Sequence, residues 1–343
     1  MREDWIDRWR GLMICVIVLF HVIGVVAPFA DEAEAMILRH ASAFIERFHV
    51  VSFFVLAGVI FGGGKPLMSF LFGKAKRLLI PYFSFGMMWA LLYVLLSRFV
   101  SGGQDHQIGF VKPFVSVVLC NGWPDGVGRR VVSVLWFLPC MFIAEALYWL
   151  VLRLVSNATQ QLLLLPFCYA ATICLHGVNC FWEAQLVPKF VAFMILGRCL
   201  ISIREIHFKH DRVTKIVCGV LVLAFVWEQN LLRLSCTILG LLDWIGFVNG
   251  FFGAFGCALI AQGANVAVLG TVGRCSLGIL VIHKLWILAA QVLGVETVAK
   301  DHPFTICIGL ACLACLASMA AISGIRRIAP WSLGERLGDV RNR

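Results

Sequence analysis

Arg10 and His21 lie in or beside the first long apolar run of the chain, a stretch with few other groups able to hold a charge or a proton. Eleven positions at about 100° each bring the two side chains within about 20° of one helix face, about 16 Å apart along the axis. Arg10 then stands at the edge of the run and His21 deep within it. An ionisable group at such a depth is costly, and its usual setting is a polar cavity or pathway. Spacing alone leaves a second reading open, a neutral His21 bonded to a neighbouring helix with Arg10 serving only as a topological charge. An imidazole titrates near neutrality and so suits proton transfer. His49 and His283 offer the same chemistry, with a backbone carbonyl as the competing partner for each. Glu145 and Asp243 also fall in or near apolar runs, where either carboxylate can orient an imidazole or pair with Arg10.

Other motifs carry less. Gly62-Gly63-Gly64-Lys65 has the look of a phosphate loop, but its first glycine is missing and Pro66 replaces the hydroxyl residue, so a turn is expected. The 14 cysteines are scattered, most of them inside apolar runs where a thiol packs as a small hydrophobe. Cys312 and Cys315 form a Cys-x-x-Cys without a second ligand pair, so neither a disulfide framework nor a metal site is expected.

The elements that must position these residues follow from composition. The 343 residues are 61% apolar and 14% charged, against roughly 45 to 50% and 25% in soluble domains, which excludes a soluble enzyme. Apolar runs of roughly 16 to 22 residues, near the bilayer-crossing length, recur near 11–29, 48–63, 80–99, 133–153, 161–176, 188–203, 213–228, 245–262, 276–294 and 303–324. Continuous runs, rather than period-two alternation, exclude an outer-membrane barrel. The expected fold is an all-α integral membrane protein, a polytopic bundle of about ten transmembrane helices forming one domain over 1–343. The stretch 100–132 is read as a long loop, too rich in glycine and proline for a helix.

The net charge is +10, but the cations gather in short clusters beside apolar runs, which fits headgroups, topology or an acidic cofactor and not nucleic acid. With a cytoplasmic N-terminus, 19 of the 29 Lys and Arg fall inside, so both termini are expected in the cytoplasm, with a short tail from about 325. A signal peptide over residues 1–30 is the rival reading, against which the apolar core is long and lacks a clean cleavage site. No internal repeat is evident, which weighs against an inverted-repeat transporter.

Five elements, in order, give the sequence a resemblance. Trp5-Ile6-Asp7 with Arg10-Gly11 and His21 looks like an Arg-x10-His signature. Residues Phe48 to Gly58 resemble FHMPLFFFLSG, with Val50, Val51 and Ala57 in place of Met, Pro and Ser. Lys74 and Arg77, followed by Leu78-Leu79-Ile80-Pro81-Tyr82, match K-x-x-R-L-x-x-P-Y. Leu135 to Pro139 are similar to LWFLPAL, and Gly273 to His283 to GKYSLGIYLLH, with Leu280 in place of Tyr. Together these elements resemble the membrane acyltransferase 3 family, in particular its branch related to fucose 4-O-acetylases.

The resemblance implies a ten-helix enzyme of the bacterial inner membrane that moves an acyl group, usually acetyl, from cytoplasmic acyl-coenzyme A to a hydroxyl of a cell-surface or lipid-linked sugar. In that setting His21 is expected as the general base. Arg10, Lys74 and Arg77 are expected to hold the phosphates of acetyl-CoA, since guanidinium and ammonium groups suit phosphate. Lys76 falls outside the matched positions and reads as a topological charge. His49, His283 and Trp136 are supporting or substrate residues. Trp123, Trp136 and Trp182, near the expected outer side, can stack on a pyranose or anchor at the interface. No metal is implied. The competing class is a polytopic exporter of a polysaccharide or anionic solute.

Overall fold

In hydrocarbon a backbone N–H or C=O finds no water, so continuous apolar runs satisfy these groups within helices. A computed structural model of the chain describes residues 4–100, 111–120, 131–207, 211–233 and 241–335, and among them no strand forms. In chain order the helices are α1 (Asp4–Val26), α2 (Glu32–Phe48), α3 (Val51–Val59), α4 (Leu67–Val100), α5 (Val111–Leu119), α6 (Phe137–Leu154) and α7 (Leu165–Cys174). They continue as α8 (Val187–His207), α9 (Arg212–Arg233), α10 (Leu241–Gly263), α11 (Ala267–Arg274), α12 (Ser276–Val292) and α13 (Pro303–Ile328).

Each apolar run of the sequence coincides with helix. Among the described residues seven spans are long and apolar enough to cross a bilayer, and the pair α11–α12, bent by 83°, makes an eighth if counted as one. Large apolar side chains such as Phe72, Phe167, Ile308 and Leu313 are exposed on these helices, as a lipid-facing surface requires. The chain is an all-α, multi-pass membrane protein.

Three elements differ from the sequence reading. The second crossing begins at Glu32 and not near Phe48: the Asp31 side chain accepts the Glu34 N–H at 2.7 Å and caps α2. Ala35, Leu38, Ile45 and Phe48 form its buried stripe, and the charges that interrupt the hydropathy lie on its other face. Within 100–132, Val111–Leu119 is helical, because that apolar stretch is free of the glycines on either side of it; residues 101–110 and 121–130 lie outside those described. The run near 276–294 is preceded by a separate helix, α11, broken from α12 at Cys275.

The helices divide into two compact units, residues 1–59 with 196–323 and residues 60–195 with 324–343. Hydrophobicity gives helices no reason to associate in lipid, so close backbone approach through small residues takes over. In the first unit Gly11 and Gly273 let α1 and α11 meet, and a Cβ on either would overlap a backbone carbonyl, that of Leu269 or Asp7. Gly219 and Gly256 do the same for α9 and α10.

In the second unit hydrogen bonds carry more of the packing. Tyr82 donates to the Val117 carbonyl and Tyr148 to Gln161 Oε1, at 2.5 and 3.1 Å. The turn at Gly62–Lys65 is as expected: Trp149 Nε1 donates to the Lys65 carbonyl at 3.1 Å and Arg153 to that of Gly63 at 3.5 Å. After α13 the chain turns over Pro330–Leu333 onto α4. Arg326 grips Glu335 through two nitrogens at 3.0 and 2.9 Å, while Gly334, at φ 69°, lies against the Lys76 carbonyl.

Candidate active site

The first unit gathers the histidines. His21 projects from α1, and its ring stacks on that of His283 from α12, centroids 5.3 Å apart at 30°. Phe20, beside it, stacks on His49 at 4.7 Å and meets His21 edge-on at 5.1 Å. The break between α2 and α3 supplies His49. Three imidazoles from distant parts of the sequence thus share one aromatic cluster.

The rings differ in how they are held. His49 Nδ1 lies 3.0 Å from the Ile45 carbonyl and His283 Nδ1 lies 2.9 Å from the Ile279 carbonyl, each one helical turn earlier. A carbonyl only accepts, so Nδ1 carries the proton and Nε2 is left as the basic nitrogen. In His283 that Nε2 is fully buried and has no hydrogen-bond partner among the described residues. A buried acceptor of this kind is ready for a donor brought by a ligand. His21 is held by its ring contacts. Lys284 follows His283 on α12 and is half-buried.

Arg10 lies at the other end of α1. Its Nη1 is 3.3 Å from Asp7 Oδ1, with Asp7 buried and Arg10 about a quarter exposed. Arg8 donates to the Ala261 carbonyl at 2.9 Å. The Asp7–Arg10 pair was legible as opposite charges three residues apart, though the sequence reading offered Arg10 only Glu145 and Asp243 as partners.

In the second unit Lys74 Nζ meets Glu145 Oε1 at 2.5 Å, and its ammonium lies 5.9 and 5.6 Å from the Phe61 and Phe70 ring centres. Glu145 therefore serves a lysine, and the Lys74 charge is engaged within its own unit. Arg77, one turn further on, is exposed. Trp136, at the end of the turn Ser133–Trp136, stacks on Phe190 at 6.3 Å and is partly buried. Trp182 donates to the Val118 carbonyl at 3.0 Å from a left-handed backbone it shares with Glu183. Trp123 lies outside the described residues, as does the side chain of Asp243.

Among the described residues no group of three or more His, Cys, Asp or Glu is placed to hold a metal. Cys15 of α1 and Cys315 of α13 share a thiol hydrogen bond and Cys312 is exposed, so the Cys-x-x-Cys is part of helix packing.

This arrangement is an all-helical, multi-pass membrane protein whose first unit gathers three imidazoles in one aromatic cluster. A family model described as an acyltransferase domain matches residues 3–324, nearly the whole chain, and the chain belongs to the membrane acyltransferase 3 family. It is a membrane acyltransferase. No curated protein and no solved structure matches it.

Proposed function

We propose that residues 1–343 form one acyltransferase domain of the bacterial inner membrane, both termini cytoplasmic, that moves an acetyl group from acetyl-CoA to a hydroxyl of a cell-surface or lipid-linked sugar. The observation that carries this reading is the stacked His21–His283 pair with the buried, acceptor-only Nε2 of His283. A sugar hydroxyl is a weak nucleophile until its proton is removed as it attacks. In the proposed reaction the hydroxyl oxygen bonds to the thioester carbon while its proton passes to an imidazole. His21 is the assigned base, and His283 Nε2 receives a hydrogen bond from the acceptor. The carbon–sulfur bond then breaks, and the coenzyme A thiolate leaves with the proton returned.

Arg10, Lys74 and Arg77 are assigned to the donor's phosphates, at the cytoplasmic edge implied by the 19 cations on that side. Of the three, Arg77 is the most open to solvent, and Lys74 must exchange part of its contact with Glu145 to serve. Trp136 is assigned to the acceptor's ring face. The test is thiol release from acetyl-CoA by the purified protein, with and without glycosides. Release that rises with a glycoside supports the reading, and none with any acyl-CoA overturns it.

A further inference from the structure

A groove on α4 has no part in the reading above. It encloses about 860 Å³, within the roughly 300–1,000 Å³ usual for a small-molecule site. Ser69, Gly73, Lys76, Ile80 and Phe83 line it at intervals of four and three residues, one face of the helix, with Phe72 beside them. A Cβ on Gly73 would meet nothing within 4 Å. This glycine therefore serves no close helix approach, and its missing side chain deepens the groove.

The length of α4 sets the depth of the groove. Leu67–Leu96, 30 residues, extends about 45 Å as a helix, against about 30 Å of hydrocarbon. The charges show which end is in excess. Leu78 to Leu96 holds no charged residue and is close to a crossing by itself, whereas Lys74, Lys76 and Arg77 come just before it. Lys76 therefore stands at the level of the lipid headgroups, with Ser69 and Gly73 on its aqueous side and Ile80 and Phe83 at the level of the acyl chains. Its backbone is braced by Gly334, which lies against the Lys76 carbonyl. Lys74 is taken by Glu145, but among the described residues no carboxylate lies within ion-pair distance of Lys76. Topology asks for cations at the end of a span, which Lys74 and Arg77 already supply. It does not ask for one inside a groove.

We propose that this groove binds one anionic phospholipid of the surrounding bilayer, its phosphate on Lys76 and an acyl chain along Ile80 and Phe83. Charge complementarity selects the occupant. Basic residues beside a span attract anionic headgroups, whereas a zwitterionic lipid brings its own cation to the phosphate. A soluble phosphate leaves the apolar half of the groove unfilled. The inference is independent of the chemistry assigned to the histidine cluster.

The experiment titrates the full chain in detergent with dioleoylphosphatidylglycerol and reads the dissociation constant of the first bound lipid by native mass spectrometry. Dioleoylphosphatidylcholine, which has the same chains, should bind about fivefold more weakly, and glycerol 3-phosphate, which has none, should not bind. Lys76→Gln should weaken phosphatidylglycerol about fivefold, the worth of one lysine at an anionic surface, and erase its preference over phosphatidylcholine. Lys65→Gln, the same change of charge outside the groove, should leave both constants unchanged. Gly73→Leu fills the groove without meeting a neighbour and should weaken both lipids about tenfold or more, because the chain loses its apolar seat. Should Lys76→Gln not fold, Gly73→Leu carries the test. Equal affinity of the wild type for the two lipids overturns the proposal, and so does a preference that survives Lys76→Gln or binding that survives Gly73→Leu. Tighter binding of a polyprenyl phosphate than of phosphatidylglycerol overturns it as well, by giving the groove to a lipid carrier.

Discussion

The histidine cluster of the first unit and the lysine–glutamate pair of the second answer the same problem, a polar group within a membrane helix, in opposite ways. Lys74 and Glu145 meet at 2.5 Å through one carboxylate oxygen, beneath two phenylalanine rings, so that opposite charges lie against each other. His21, His49 and His283 are held by rings and by their own backbone, and His283 keeps a fully buried nitrogen without a partner among the described residues. A closed pair holds structure together, while a site for chemistry must leave some valence open to substrate. The comparison therefore assigns stability to the pair and turnover to the cluster.

The sharpest way to break this assignment is at the imidazoles. His21→Gln and His283→Gln keep hydrogen-bonding capacity but cannot take a proton at neutral pH. The base among them should lose about 10²- to 10⁴-fold in kcat, with a monodisperse protein on gel filtration. Near-normal turnover in both would make the cluster structural. At Glu145 the effect should fall on stability instead. Glu145→Gln leaves the partly exposed Lys74 ammonium without its carboxylate and should cost about 1–3 kcal/mol, seen as a lowered thermal midpoint, and the double change Glu145→Gln with Lys74→Met should recover most of it. A single variant as stable as wild type would show that the pair is not the brace described.

Gly273→Ala tests the frame beneath the cluster. Its methyl would overlap the Asp7 carbonyl, so α11 must shift, at a cost of about 1–3 kcal/mol for an overpacked contact. Both the thermal midpoint and kcat are expected to fall, and unchanged values would mean that α1 and α11 part without consequence. The smallest effect is expected at Arg77, which is exposed. Losing it should raise the acetyl-CoA KM by about fivefold or less, since exposed charge contacts are worth roughly 0–1 kcal/mol. An unchanged KM would leave Arg77 a topological charge.

What the sequence showed and hid follows from the range of each interaction. Hydropathy placed most of the long helices, because burial in lipid acts residue by residue. It missed α2 up to Phe48, where Glu32, Glu34 and Arg39 lower the average, although Asp31 at the cap and the apolar stripe were both readable. It also missed α11, whose eight residues are too few to register as a span. The Arg10–His21 axis was legible because one helix carries both. The resemblance made His49 and His283 supporting residues, but that they share a cluster with His21 was not readable, because no local pattern brings three distant imidazoles together. Lys74 with Glu145 joins two helices far apart in sequence, a contact no local pattern encodes.

The turn that folds back after α13 has a consequence for biosynthesis. Gly334 and the Arg326–Glu335 clamp belong to the same unit as α4 to α7, yet all of residues 196–323 are translated between them. The basic stretch around Lys76 therefore leaves the ribosome long before the segment that covers its backbone, and must wait in the membrane with that carbonyl face open. Such late, non-local closure makes assembly slow relative to local helix formation. Until residues 330–335 have left the ribosome, the second unit is still unlatched.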